Sequence, residues 1–389
     1  LFVNIIRKLA RQLKDRLKKS PAIAILGPRQ VGKTTLAKGL ESGYVYLDME
    51  NPRDIAKLQD AYTFLENLQD QTVIIDEVQL FPELFSLLRP LIDAKRTPGR
   101  FILLGSASPE LVKGVSETLA GRISYNELCP IGLTELPDTI SYEQHWFRGG
   151  FPESLLSETD DLSKDWIDDF IVSYVERDLA KMFGVDLAAT LLRNFWSMLA
   201  HTNGNLFNAE SFARSLGVSA PTVNRYLDFL EGGYLIRRLQ PWFVNAKKRL
   251  VKSPKIYIRD TGILHRLLNI SAYNDLFGHP AIGASWEGYV IEQIYQLRTK
   301  QTELFFYRTQ TGAECDLVLV QGITPMACIE IKLSNAPTVS KGFINCTQDL
   351  KPKYKYIITP NSETYPSSNE ITVTSLKHFL TNILPEIQQ

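Results

Sequence analysis

The sequence predicts an α/β protein of several domains, with a parallel sheet first and a second sheet-bearing unit last. Three observations carry that prediction. Short apolar runs alternate with amphipathic stretches through residues 1–145, the pattern of a parallel sheet covered by helices on both faces. A glycine-rich turn joins the first apolar run directly to a helix. Near the end, a helical stretch is followed by three closely spaced strand-like runs, a short helix and another strand. At 389 residues the chain is also too long for one core. The expected units are 1–145, 146–200, 201–260 and 261–389.

The first segment is basic and amphipathic. Phe2, Ile6, Leu9, Leu13 and Leu17 share one helical face, with lysines and arginines around it. It reads as a helix packed on the following domain, because Ser20-Pro21 leads straight into an apolar run. A transit peptide or a membrane-surface helix would have a similar pattern. Residues 22–26 are a buried strand, and 35–40 the helix after the turn. Strands follow at 44–48, 72–77, 101–106 and 123–128, separated by a helical stretch running to Leu68 and a helix over 80–94. The first unit closes near Leu136-Pro137.

Residues 146–200 read as mainly helical, a lid on the first unit. Gly149-Gly150-Phe151-Pro152 is a turn, and Trp166, Phe170, Tyr174 and Leu179 mark the apolar face of a helix over 165–183. Next, Asn208 can cap a helix ending at Leu216, Gly217-Val218 turns the chain, and Ser219 caps a second helix that Gly232-Gly233 ends. Strands at 234–239 and 255–258 flank a basic segment, so 201–260 reads as a winged helix. The last unit runs helix 286–297, strands 304–307, 315–320 and 328–332, a helix after Val339, and strand 354–359.

Composition narrows the function classes. A 44% hydrophobic and 22% charged chain is ordinary for a soluble globular protein. With zero net charge, the molecule as a whole has no attraction for nucleic acid or anionic membrane, so such binding must come from local patches. No apolar run approaches the ~20 residues of a membrane span. Cys129, Cys315, Cys328 and Cys346 lack any C-x-x-C spacing, which argues for reduced thiols rather than zinc ligands and for a cytoplasmic protein.

The chemistry begins at Gly27-Pro28-Arg29-Gln30-Val31-Gly32-Lys33-Thr34. This fits G-x-x-x-x-G-K-[ST], a phosphate cradle between strand and helix. Backbone N–H groups and the helix dipole face an anion, Lys33 reaches the β/γ oxygens, and the Thr34 hydroxyl suits Mg²⁺. Thr35 continues the cradle into the helix. Asp76-Glu77 closes an apolar strand: Asp76 can hold Mg²⁺, and Glu77 can orient the attacking water. Ser106, at another strand end, can sense the γ-phosphate. Arg122 is the first candidate, ahead of Arg148 and Arg177, for the cation that stabilises the transition state, in the same chain or in a homo-oligomer.

These motifs together resemble prokaryotic AAA+-type ATPases with a C-terminal DUF4143 region. The resemblance rests on the glycine loop, Asp76-Glu77-Val78-Gln79, Gly105-Ser106, Ala120-Gly121-Arg122 and Gly149-Gly150-Phe151-Pro152. It continues through Tyr174-Val175-Glu176-Arg177-Asp178 and Trp286-Glu287 to Ile329-Glu330-Ile331-Lys332. It implies an ATPase fused to winged-helix and nuclease-like parts.

Two residues apart on one strand, Glu330 and Lys332 share a face, and Asp316 lies on the strand before. Asp…Glu-x-Lys in this element order resembles the PD-(D/E)XK, restriction-endonuclease-like core. Glu287 matches the position of its further acid. Asp316 and Glu330 could bind Mg²⁺ or Mn²⁺, and Lys332 could activate a water. A hairpin with solvated charges would give the same local pattern. Arg237, Arg238, Lys247, Lys248, Arg249, Lys252 and Lys255, interleaved with Trp242, Phe243 and Tyr257, suit sequence-tolerant DNA contacts. The expected function is therefore an ATPase that binds DNA and cuts it. The alternative is an ATP-controlled binding switch whose nuclease-like part is inactive.

Overall fold

The structure is a computed structural model that describes residues 5–107, 119–174, 179, 188–243 and 251–389. It is α/β throughout. The first half holds a five-stranded parallel sheet of order β2-β3-β4-β1-β5: β1 Ala22–Leu26, β2 Val45–Asp48, β3 Val73–Asp76, β4 Phe101–Gly105 and β5 Ile123–Glu127. Alternate side chains leave opposite faces of a strand. Ala22, Ala24, Val73, Ile75, Phe101 and Leu103 thus pack under the helices Ala61–Asn67 and Leu84–Ala94. Ile23, Ile25, Ile74, Ile102 and Leu104 pack on the other side against Leu13 and Leu17 of helix α1 (Lys8–Leu17). The basic first helix is thereby seated on the sheet, with its charges outward.

The second half is built around an eight-stranded sheet of order β12-β13-β11-β10-β9-β8-β6-β7. Its strands are β6 Ile236–Pro241, β7 Lys255–Ile258, β8 Thr302–Arg308, β9 Glu314–Gln321, β10 Thr324–Ile331, β11 Tyr354–Thr359, β12 Tyr365–Pro366 and β13 Thr372–Ser375. The two strands expected of a wing pair antiparallel, Ile236 opposite Ile258. They do not stand apart: Gln240 and Pro241 also pair with Phe305 and Phe306 of β8, so the wing strands form one edge of the C-terminal sheet.

The helix pair Ala209–Leu216 and Ala220–Gly232 forms with its caps: the Asn208 side chain accepts from Ser211 N, and Ser219 from Thr222 N. Both helices share one continuous core with Trp146, Phe170, Trp196, Trp286, Ile329 and Phe379. The Trp146 and Trp286 rings meet edge to face, 5.2 Å apart. The lid-like helix runs Asp160–Ser173, starting earlier than expected because Thr159 caps it. Helices at Thr261–Leu267 and Tyr273–Gly278, and strands β12 and β13, were not expected.

Candidate nucleotide and acidic sites

The glycine loop leaves β1 and enters helix α2 (Lys33–Lys38). Gly27 (φ 154°) is required by space, since a Cβ there would lie 2.2 Å from the Leu128 carbonyl oxygen. Gly32 (φ 92°) makes the left-handed turn into the helix. Lys33 is buried and its ammonium donates to Gly27 O (3.0 Å), Pro28 O (2.9 Å) and Ser106 Oγ (2.9 Å). Burial pulls its pKa down to about 8, against the upward pull of Glu77 and Asp76. Lysine here holds only dipoles and a hydroxyl, the arrangement of a cation awaiting an anion.

Three strand ends converge on this lysine. Asp76, ending β3, accepts from Thr34 Oγ1 (2.6 Å), Tyr46 OH (2.8 Å) and Glu77 N (2.9 Å). Glu77 has left-handed backbone (φ 52°, ψ 44°) and accepts from Ser106 Oγ (3.1 Å) and Gln79 Nε2. Gln79 Oε1 in turn accepts from Ser106 N (3.3 Å). Lys33, Thr34, Asp76, Glu77 and Ser106 are thus brought together, at the carboxyl ends of β1, β3 and β4, the edge of a parallel sheet where ligands bind. Within the same loop, Arg29 pairs with Glu50 (2.5 Å), Gln30 takes φ 59°, and Val31 is buried. Thr35 lies in α2.

Sequence reasoning missed Tyr46, and it missed Arg7, which donates to Val31 O (3.2 Å), Cys129 O (2.6 Å) and Glu135 (3.1 Å). The first helix is therefore tied to the phosphate loop.

The expected place of Arg122 beside the nucleotide is corrected for a single chain. Arg122 precedes Ile123, which pairs with Ala22, the first residue of β1. It therefore lies at the amino edge of the sheet, opposite the glycine loop, and makes a two-point contact with Asp93 (2.7 and 2.8 Å). Arg148 is also committed, to Asp160 and Ser157 O. Arg177 lies outside the described residues.

In the second half, Glu287, Asp316, Glu330 and Lys332 line one cavity of about 530 Å³. Asp316 lies within β9, next to the stretch that pairs with β10, and accepts from Ile331 N of β10 (2.8 Å). Glu330 holds Lys332 (2.9 Å) and accepts from Ser340 N (3.4 Å). Burial first, then the Glu287 charge, push the Asp316 carboxyl up to about 7.

The structure adds residues that spacing could not reveal. Lys255 reaches Glu287 (3.0 Å) and Glu314 (3.7 Å), and Tyr257 OH donates to Glu287 (2.5 Å). The sequence places both on a DNA-contacting wing, yet they are 4% and 2% exposed and bound to Glu287 of this cavity. Arg237 is half-buried on Glu292, and Arg238 pairs with Asp228 and Glu231. Three of the seven expected DNA-contacting cations are thus paired with carboxylates of this chain. Trp242 packs on Phe305, and Phe243 is exposed. Lys247, Lys248 and Arg249 lie outside the described residues.

An oxygen-rich set of Glu287, Glu314, Asp316 and Glu330 suits a hard divalent cation in chemistry. Among the described residues no three of these carboxylates are drawn together, and Glu287, Glu314 and Glu330 are held by lysines. Among the described residues, the only three metal-type ligands drawn within 4.8 Å of one another are the Cys315, Cys328 and Cys346 sulfurs. Their sequence spacing gave no sign of that meeting. All three are buried in the apolar core, and their thiols are pushed up, Cys315 chiefly by burial.

The two halves meet at an ionic hub. Glu127, ending β5, accepts from Arg259 (2.5 Å) and Tyr295 OH (2.9 Å), and Arg259 also binds Glu292 (2.6 Å). No helix among the described residues is long and apolar enough to cross a membrane.

The chain matches three protein families in tandem: an AAA domain over residues 19–136, the domain of unknown function DUF8612 over 139–274, and DUF4143 over 282–379. Uncharacterized proteins of Mycobacterium tuberculosis and Mycobacterium bovis are each 40% identical over 377 residues, 96% of this chain and 84% of theirs. An uncharacterized protein of Methanocaldococcus jannaschii is 22% identical over 95% of this chain and 88% of its own. Among solved structures, a Walker-type ATPase of Pyrococcus abyssi is 15% identical and covers 68% of this chain and 96% of its own, with a TM-score of 0.49.

Proposed function

Because the chain belongs to the family that joins an AAA domain to a DUF4143 domain, we propose that it hydrolyses ATP with Mg²⁺ and acts on DNA through its second half. The AAA domain gives it the P-loop nucleotide-binding class. The observation that supports turnover is the convergence of Lys33, Thr34, Asp76, Glu77 and Ser106 on one sheet edge. Mg²⁺, when bound, neutralises phosphate charge. Thr34 and Asp76 would hold it, and their mutual hydrogen bond keeps both side chains aimed at one point. Lys33 exchanges carbonyls for phosphate oxygens. Glu77, gripped by Gln79 and Ser106, orients the water that attacks the terminal phosphate.

For the second half, the reading is metal-dependent cleavage of DNA. It is supported by the single cavity that Glu287, Asp316, Glu330 and Lys332 share. Asp316 and Glu330 would hold Mg²⁺ or Mn²⁺, and Lys332 would polarise the attacking water. Sequence-tolerant binding would use Lys247, Lys248, Arg249 and Lys252. One observation favours the other reading, an ATP-controlled switch: Lys255, Arg237 and Arg238 are committed to carboxylates, which thins the basic surface. A Mn²⁺-dependent nicking assay separates the two. Wild type should cut, Asp316→Ala should neither bind Mn²⁺ nor cut, and Lys332→Ala should bind Mn²⁺ without cutting. No cutting of any DNA or RNA form by wild type would leave the switch.

A further inference from the structure

A second cavity, of about 620 Å³, lies between helix α1, the outer edge of β5 and the end of the helix Ile282–Leu297. It begins beside the glycine loop, where Arg7 sits on Val31 O, and runs along α1 toward the opposite edge of the sheet. Arg16 lines its far end. Nine residues of helix separate Arg7 from Arg16, roughly 13 Å at ~1.5 Å per residue. The far end is therefore distinct from the phosphate loop.

Its chemistry is that of an anion site. Arg16, Arg298 and Lys300 line this end, and no ion pair is found for any of them among the described residues. Arg298 is fixed over the Tyr295 ring and uses only Nη1, on Tyr295 O (3.1 Å). Arg16 and Lys300 stand close enough that partial burial and the arginine's charge pull the Lys300 pKa down. The two acids on the near wall are already neutralised, Glu127 by Arg259 and Glu135 by Arg7.

Polar groups without partners complete the wall. Asn126 is 5% exposed, and its Nδ2 donates to Ala24 O (3.1 Å) and Ser124 O (2.7 Å). Those two bonds fix the orientation of the amide, so the buried atom left without a partner is the acceptor Oδ1. The Tyr125 hydroxyl, which leaves the other face of β5 and also lines the cleft, is likewise buried and unpartnered. An orphaned buried polar atom is costly unless something supplies its hydrogen bond. Uncompensated cations at one end and an orphaned acceptor along the wall call for a ligand with both features.

We propose that this cleft is a second ligand site, taking a small phosphorylated compound that also carries amino or hydroxyl donors, of the nucleotide class. The phosphate meets Arg16, Arg298 and Lys300, and a donor of the ligand meets Asn126 Oδ1.

The test uses the full chain carrying Lys33→Ala, with inorganic pyrophosphate and AMP as probes in equilibrium dialysis. One site per chain should persist. Adding Arg16→Ala and Lys300→Ala should weaken both probes at least tenfold, and adding Asn126→Ala instead should weaken AMP more than pyrophosphate. Absence of binding at millimolar probe overturns the proposal, as does affinity unchanged by either addition. If the arginine–lysine variant loses single-stranded oligonucleotide binding while neither small probe binds, the cleft belongs to a nucleic-acid surface and the proposal fails. An error in the reading of Lys33 shows separately, as ATP binding unaffected by Lys33→Ala alone.

Discussion

At the glycine loop a buried lysine is surrounded by main-chain oxygens and a serine hydroxyl, and its acidic neighbours are held by other donors. In the C-terminal cavity the reverse holds: four acids face three cations, and Glu287 and Glu330 are each gripped by a lysine. The first site is open to an anion with little rearrangement. The second accepts a cation only by displacing its own lysines. This difference teaches that a preorganised site and a self-neutralised one can share a chain, and that they should answer differently to substitution, metal and pH.

The largest effect is expected at the open site. Glu77→Gln should keep ATP binding and lose turnover by ~10²-fold or more, the scale of losing a positioned base. Steady-state ATPase rates with a parallel binding titration check this, and equal rates in the two proteins would remove Glu77 from the chemistry. At the self-neutralised site, Lys255→Ala strands Glu287 and should destabilise the fold by about 3 kcal/mol, the scale of breaking a buried pair. Mn²⁺ should then raise the melting temperature of the variant more than that of wild type. Equal Mn²⁺ shifts would mean that no cation takes the place of the lysine.

The pH response sharpens the comparison further. Asp316 is raised from 3.8 to about 7, so its protonated form contributes stability that is fully present below about pH 4 and lost as pH rises through about 7. Mn²⁺ competes with that proton. Its affinity should climb about tenfold per pH unit between pH 5 and 7 and level off above. Calorimetry across that range reads it, and a flat profile would place the metal elsewhere. The smallest effect is expected at Arg122: Arg122→Ala should leave turnover within about twofold. A larger loss would mean that this arginine reaches the nucleotide of a neighbouring subunit.

The α/β class and the strands of the first sheet were legible because the relevant signals are local. Eight consecutive residues make the cradle, and each buried strand is a short apolar run. Asp76 and Ser106 could be placed because both follow strands. The same rule would have corrected Arg122, which precedes its strand and so belongs at the other edge. Asp316, Glu330 and Lys332 could be joined because one hairpin carries them. Lys255 and Tyr257 could not, because what brings them to Glu287 is the pairing of β6 with β8 across more than sixty residues of chain. The three cysteines met unseen for a similar reason: two strands and a helix supply one each.

The left-handed backbone of Glu77 carries an evolutionary reading. A side-chain-bearing residue there works against the preference of the peptide itself, at roughly 1–2 kcal/mol. Glycine at 77 would relieve that strain and, on the proposed reading, remove the water-orienting carboxylate in one step. Drift toward stability alone would therefore erase the glutamate. The strain at Glu77 is a cost to folding that the proposed hydrolysis would account for.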